Sequence, residues 1–443
     1  MNPELVRLSW IEVTMQRLWL IPAAILGTAL LLVQSGMPHA GLSTIAISAF
    51  VLLTMVWGAK QSANAILDEV RDRTWEIQRM CALPPWTMTW GKLLGATLMP
   101  WYAGAVCLAL YMNFAGGDQQ APATVLTYSL LAVMLQAFAL TIALVATHLD
   151  RRIRARLNLL LMLVLLSLVL PDLARLGMPQ FNELSVLGQS IFWYGVELDG
   201  TAFTLTMAAI FAAWAIVAAW RMMCIELGVR TRPFAWLGFI AFLAALCGGY
   251  VYDPHGLGIV RQLLSGAAVI ACCLGYLAAF CFARDPVAIS RMLLALKLGQ
   301  TRRTLESTPL WVSATAIALM LAVGAAVVGS DTGSPNDRFD NLGACALVFA
   351  LLLLRDVAML AAFSFRNPAG RSDVTTLVWI AVLNRLLPGL FAVSDLQMLS
   401  NLMRPAIFDA PKTALAIALV HALIAVGFAH YFYRRSMRLQ PTK

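Results

Sequence analysis

Charge is scarce in this sequence: Asp, Glu, Lys and Arg make up only 12% of 443 residues, while apolar side chains make up 60%. A soluble chain carries roughly a quarter charged residues, so most of this surface must face hydrocarbon. There is no Cys-x-x-Cys. The eight cysteines, Cys81, Cys107, Cys224, Cys247, Cys272, Cys273, Cys281 and Cys345, lie mostly inside apolar runs and read as packing residues, neither disulfides nor metal ligands. Gly-x-x-x-x-Gly-Lys-Ser/Thr is missing as well; the only Gly-Lys pair is Gly91-Lys92, which excludes P-loop nucleotide binding by this chain. Residues 1 to 17 lack the short apolar core and small-residue cleavage site of a secretory signal. With Asn2-Pro3-Glu4 as a helix start, they are expected to form a retained surface helix.

What the sequence has in quantity is long apolar runs. A helix needs about 20 residues to cross some 30 Å of hydrocarbon. Runs of that size lie near 18–36, 40–58, 93–114, 122–147, 157–174, 201–223, 234–252, 258–283, 309–328, 341–365, 374–393 and 412–433. The expectation is an all-α polytopic membrane protein of about twelve transmembrane helices. The net charge of +9 does not point to nucleic acid, because Lys and Arg sort by membrane side. One set of connections holds only Arg175, Arg261, Arg338, Arg404 and Lys412. The other holds Arg151, Arg152, Arg154, Arg156, Arg284, Arg291, Lys297, Arg302 and Arg303, with Arg230, Arg232, Arg366, Arg371, Arg434, Arg435 and Arg438. The positive-inside asymmetry places both termini in the cytoplasm.

The second six runs start about 216 residues after the first six, which predicts a duplication into units 1–228 and 229–443. In each unit the longest external connection, carrying Phe192-Trp193-Tyr194 or Leu402, Ile407 and Phe408, is too apolar for a solvated loop and is expected to dip back into the membrane. The stretch from Lys60 to Lys92 reads as an amphipathic surface helix. Ala63, Leu67, Val70, Thr74, Ile77 and Cys81 form its docking face, and Asp68, Glu69, Asp72, Arg73, Glu76 and Arg79 its charged face. Pro84, Pro85 and Trp86 break it before Gly91-Lys92-Leu93 opens the third run.

The order Asp68-Glu69-Val70-Arg71-Asp72-Arg73-Thr74-Trp75-Glu76, Leu83-Pro84-Pro85-Trp86, Gly91-Lys92-Leu93 resembles the cytosolic segment of ABC-2 type transporter permeases. The second half carries a shortened version, Arg302-Arg303-Thr304-Leu305-Glu306-Ser307-Thr308-Pro309, without Gly-Lys-Leu. The resemblance implies two fused six-span units, one degenerate, with coupling helices at 61–83 and 286–308. It implies coupling roles for Glu69, Asp72, Arg73, Thr74, Glu76 and Arg79, and for Arg302, Thr304 and Glu306. It further implies a separate P-loop ATPase partner, with ATP and Mg bound there and no cofactor here, and an exporter in a bacterial cytoplasmic (inner) membrane.

Few charges lie inside the apolar runs. Arg355 and Asp356 sit deep in one and Arg385 near the middle of the next; an antiparallel pairing would bring Asp356 level with Arg385. They read either as a helix-clamping ion pair or as a polar step on a substrate path. Two other function classes remain open. A twelve-helix secondary transporter of the major facilitator kind would put its long cytosolic linker between runs 6 and 7, where only about ten residues lie. A membrane-embedded enzyme acting on lipid-linked substrates would need clustered acid and base groups at one face, and Asp172, Glu183, Glu197 and Asp199 read instead as solvated loop charges. Reporter fusions after residues 90, 153, 300 and 443 are expected to report cytoplasm, and fusions near 118 and 335 the exterior. A contrary result at residue 300 would break the duplicated layout.

Overall fold

A computed structural model of the chain describes residues 2–81, 83–117, 119–148, 190–229, 234–250, 259–281, 284–328, 342–366, 372–394, 396–403 and 411–439. Two compact units emerge: Met1–Ala155 with Phe181–Ile191 and Glu197–Thr231, and Arg156–Gln180 with Phe192–Val196 and Arg232–Lys443. Among the described residues nine helices are long and apolar enough to cross a membrane, or ten if one bent pair counts as a single span. The expected run at 234–252 gives the shorter helix Phe234–Tyr250. The run at 157–174, the basic turn at 151–156 and residues 404–410 lie outside the described residues.

The first unit begins with α1, Pro3–Glu12. Asn2 caps it, its side chain accepting from the Glu4 and Leu5 N–H groups at 3.1 and 3.4 Å, and Pro3 supplies a pre-set φ at the first turn. Thr14 caps α2, Met15–Gln34. The next helix runs unbroken from His39 to Arg71, 33 residues or about 50 Å at 1.5 Å per residue, far more than the bilayer core needs. It comprises α3, His39–Phe50, a π-helical stretch, Val51–Trp57, and α4, Gly58–Arg71. So residues 60–71 are the continuation of a membrane span and not a separate helix on the membrane surface.

The expected docking face is also out of phase. Gly58, Ser62 and Ile66 are the buried residues of α4, whereas Leu67 and Ile77 are exposed. Ser62 Oγ donates to the Gln136 carbonyl at 2.8 Å, which fixes the rotation of the helix against α8, Ala121–His148. The chain then turns at Asp72 and Arg73, the latter at φ 60, a left-handed conformation that costs a non-glycine residue about 1–2 kcal/mol. A short α5, Trp75–Arg79, follows, so 61–83 is two helices and a strained turn. Pro84 and Pro85 start α6, Pro85–Ala96, which bends by 53° into α7, Leu98–Phe114. Helix α9, Gly200–Glu226, packs along α8 and completes the described part of the unit.

Residues 190–199 form a two-stranded hairpin, β1 Ser190–Trp193 and β2 Val196–Asp199. Tyr194 and Gly195 both have positive φ, as a tight two-residue turn requires.

The second unit consists of α10 Phe234–Tyr250, α11 Ile259–Cys281, α12 Pro286–Lys297, α13 Thr301–Ser307, α14 Leu310–Val328, α15 Leu342–Arg366, α16 Ser372–Ala381, a π-helical stretch Val382–Leu386, α17 Leu387–Val393, α18 Gln397–Met403 and α19 Pro411–Leu439. Its core is lined with alanine: Ala268, Ala271, Ala314, Ala318, Ala346 and Ala350 are all buried. Small side chains allow helix backbones to approach closely, which is how helices associate where lipid removes the hydrophobic drive. Helix α15 is central, packed by α11, α14, α16 and α19.

In the first unit α1 packs on α6 in the same way. A Cβ on Gly91 would lie 2.6 Å from the Glu4 Cβ, and one on Gly95 2.8 Å from the Leu8 Cβ. These two glycines, one turn apart, form the notch that receives α1. Gly95→Leu is therefore expected to lift α1 away while leaving the apolar spans inserted. Protease digestion of membrane vesicles should then cleave within residues 3–12 faster than in the parent; unchanged protection would show that the notch does not hold the helix.

Candidate functional site

At one end of the first unit three charged side chains, Glu4, Glu69 and Lys92, meet away from solvent, with the partly exposed Arg7 closing the cluster at its edge. Lys92 has no exposed surface, and the side chains of Glu4 and Glu69 are 5% and 12% exposed. The Lys92 ammonium donates to Glu4 Oε1 at 3.1 Å, to Gln78 Oε1 at 3.1 Å, to the Ala65 carbonyl at 3.3 Å and to Glu69 Oε2. Arg7 donates to both Glu4 oxygens, at 3.0 and 2.8 Å, and to Glu69 Oε1. Gln78 Nε2 also donates to Glu69 Oε1 at 2.7 Å. The Trp75 ring lies 5.2 Å from the ammonium, as a cation–π contact requires.

Two acids and two bases sum to zero charge, which is what permits the burial. Burial pushes the Glu4 carboxyl up, but the hydrogen bond from Arg7 and the charges of Lys92 and Arg7 outweigh it and hold it below its usual 4.5. The hydrogen bond that Arg7 donates to Glu4 raises the Arg7 guanidinium, against the opposing effect of burial. A lowered carboxylate stabilises above its ordinary value and loses that contribution only as pH falls through the lowered one, so the contribution of Glu4 is fully present at neutral pH.

The network ties α1, α4, α5 and α6 together and holds the turn between α4 and α5. Glu69, expected on the charged outer face, is drawn inward. Asp72, Arg73, Thr74, Glu76 and Arg79 remain exposed at the tip. Glu76 and Arg79 pair loosely at 3.6 Å, and Thr74 Oγ1 donates to the Glu69 carbonyl at 3.3 Å. Asp68 and Arg71 stand 3.9 Å apart with both side chains mostly in solvent.

The second unit repeats the local plan: α12, a left-handed Gly299 at φ 66, then the short α13. Arg302 Nε donates to Glu306 Oε1 at 3.0 Å across one helical turn, and Thr304 Oγ1 donates to the Gln300 carbonyl at 3.0 Å. Here the left-handed position is a glycine and carries no strain.

The intramembrane charges assemble differently from the expected pair. Arg355 and Asp356, each 3% exposed, pair with one another, Nε to Oδ1 at 2.7 Å. Tyr276 from α11 donates to Asp356 Oδ2 at 2.7 Å, and an Arg355 amino group donates to Asn384 Oδ1 at 3.0 Å. The contact across to the next helix is thus made by Asn384, and its neighbour Arg385 lies on the exposed side of the π-helical stretch.

Sequence reading missed Glu4, Arg7, Lys92 and Gln78, and in the second unit Tyr276 and Asn384. Lys92 carried a usable signal: a lysine two turns inside an apolar helix must find an acid, and of the acids at that end of the unit Glu4 and Glu69 are the two that reach it. Among the described residues no group of His, Cys, Asp and Glu could hold a metal ion. No family model, curated protein or solved structure matches the chain.

Lys92→Met leaves two buried carboxylates facing a single guanidinium. Breaking a buried pair in this way costs about 3–5 kcal/mol. Thermal unfolding of the detergent-purified variant should show a clear loss, and a midpoint within error of the parent would show that the ammonium is not anchoring these helices.

Proposed function

We propose that this chain is the membrane-spanning subunit of an ATP-driven exporter of the ABC-2 permease kind, working with a separate P-loop ATPase that binds ATP and Mg. In this reading the chain has twelve spans as two fused six-span units, 1–228 and 229–443, with both termini in the cytoplasm of a bacterial inner membrane. The exposed turn at 72–79 docks on the ATPase.

The observation that carries the reading is mechanical. A mixed-charge, solvent-exposed turn sits at the end of a helix continuous with a membrane span, His39–Arg71, and is braced from behind by the buried Lys92 network. An idle connector has no need of such bracing. A partner that pushes on Asp72, Arg73, Glu76 and Arg79 moves a rigid member that reaches into the bilayer. The residue order shared with ABC-2 permeases supports the same conclusion, and Gly91 and Lys92 of its Gly-Lys-Leu are residues that seat α1. Glu69 belongs to the brace and not to the docking surface. Arg302, Thr304 and Glu306 form the weaker second contact.

The purified chain alone is expected to show no ATP hydrolysis, and co-expression with its cognate ATPase to give a stable complex. Exposed ion pairs contribute about 0–1 kcal/mol, so Asp72→Lys with Glu76→Lys should insert and fold normally. The double variant should nevertheless lose ATPase docking and transport, and reversal at Arg302 and Glu306 should do less. Unchanged transport by a normally expressed Asp72→Lys, Glu76→Lys protein, or transport by the lone chain driven by a proton gradient, would sink the proposal.

A further inference from the structure

The polar cluster around Arg355 has more donors than acceptors. Arg355 lies near the midpoint of α15 and is 3% exposed. Its Nε is taken by Asp356 and one amino group by Asn384, but Nη1 has no hydrogen-bond partner. Both Asp356 oxygens already accept, from Arg355 and Tyr276. His421 of α19 stands at the same level: buried Val348 and Leu351 of α15 cluster with Ala414, Ala418 and Ala422, and further along Phe365 meets Tyr433 with ring centroids 6.0 Å apart. These two helices therefore run side by side in register, which places residue 421 beside residue 355. His421 Nδ1, like Arg355 Nη1, has no hydrogen-bond partner.

A guanidinium can only donate, so whatever completes this cluster must accept. The strongest acceptor for a desolvated guanidinium is an anionic oxygen, because charge-assisted bonds of this kind exceed neutral ones. The flank beside Asn384 is mostly apolar and uncovered, with Leu386 and Leu390 each 57% exposed and Val393 87% exposed, and it also carries the exposed Arg385. A ligand arriving there comes from the acyl-chain region of the bilayer.

We propose that Arg355 and His421 form an intramembrane binding site for the anionic headgroup, carboxylate or phosphate, of an amphiphile that enters laterally past Leu386 and Leu390. Nη1 of Arg355 donates to the headgroup oxygen, His421 makes the second contact, and Asp356, Tyr276 and Asn384 position the guanidinium. The site stands independently of any ATPase partner.

The test uses the full chain in dodecyl maltoside, titrated with dodecyl phosphate or dodecanoate, with binding read by the shift in thermal unfolding and by native mass spectrometry. Dodecanol and inorganic phosphate are the controls for the chain and the headgroup alone. Saturable binding of both alkyl anions is expected, with neither control binding. Arg355→Leu with Asp356→Leu removes both charges together, so no unpaired carboxylate stays buried, and should weaken binding at least roughly tenfold, as loss of a charged hydrogen bond implies. His421→Gln should weaken it several-fold. Parent-like affinity in the folded double variant, or no saturable binding by the parent, overturns the proposal. Dodecanol binding as tightly as the anions removes the headgroup, and inorganic phosphate binding as tightly removes the bilayer as the source; either result overturns it too. Should the double variant not fold, His421→Gln decides, and unaltered affinity there overturns the site.

Discussion

A single ammonium group, that of Lys92, joins three stretches of chain remote in sequence. It holds Glu4 near the N-terminus, Ala65 and Glu69 at the end of the long helix, and Gln78 on the short helix beyond the turn. Removing such charges from water is expensive, and the attraction among them repays that cost only when every group is matched. An apolar plug of equal volume could hold the same helices as firmly. It could not hold them at one rotation, because hydrophobic contact has no direction, whereas the three N–H donors of one ammonium, shared among four acceptors, do. The network therefore contributes geometry more than strength. Everything exposed beyond it, from Asp72 to Arg79, inherits a fixed position from a centre that solvent does not reach.

The apolar runs were legible because a membrane span needs only length and composition. The rotation of helices was not. For residues 60–71 the spacing of Ala63, Leu67 and Val70 pointed to one face, but the helix buries Gly58, Ser62 and Ile66. Leucine gains little by facing protein in preference to lipid, so hydrophobic periodicity loses its meaning at a membrane boundary. Rotation is instead set by polar contacts such as Ser62 to the Gln136 carbonyl, which leave no periodic trace. The charged pair at 355 and 356 shows the same limit. Antiparallel register brought residues 384 and 385 opposite correctly, but adjacent opposite charges neutralise each other first, and the helix across the gap then offers an amide.

Both units place a polar contact at a π-helical stretch. In the first, Gln136 Nε2 donates to the Thr54 carbonyl at 2.9 Å while its Oε1 accepts from Trp101 at 3.0 Å. In the second, Asn384 lies within the π turn and accepts from Arg355. A π turn loosens the regular ladder of backbone hydrogen bonds, and in hydrocarbon a freed carbonyl must be satisfied from elsewhere. Gln136 does that for Thr54, and the fit is tight enough that a Cβ on Gly58 would lie 2.5 Å from the Gln136 amide nitrogen.

The position of the first π stretch, Val51–Trp57, about midway along the 33-residue helix, gives that helix the mechanics of a lever with its fulcrum inside the bilayer. The arm from Thr54 to Arg71 is about 25 Å long at 1.5 Å per residue. A tilt of about 10° at the fulcrum therefore carries the tip some 4 Å sideways, roughly one side-chain width. The opposite arm, ending at His39, swings the other way by a comparable amount. A sideways displacement of a few ångströms at the Arg71 end thus appears at the His39 end reversed in sense, without any helix having to unwind.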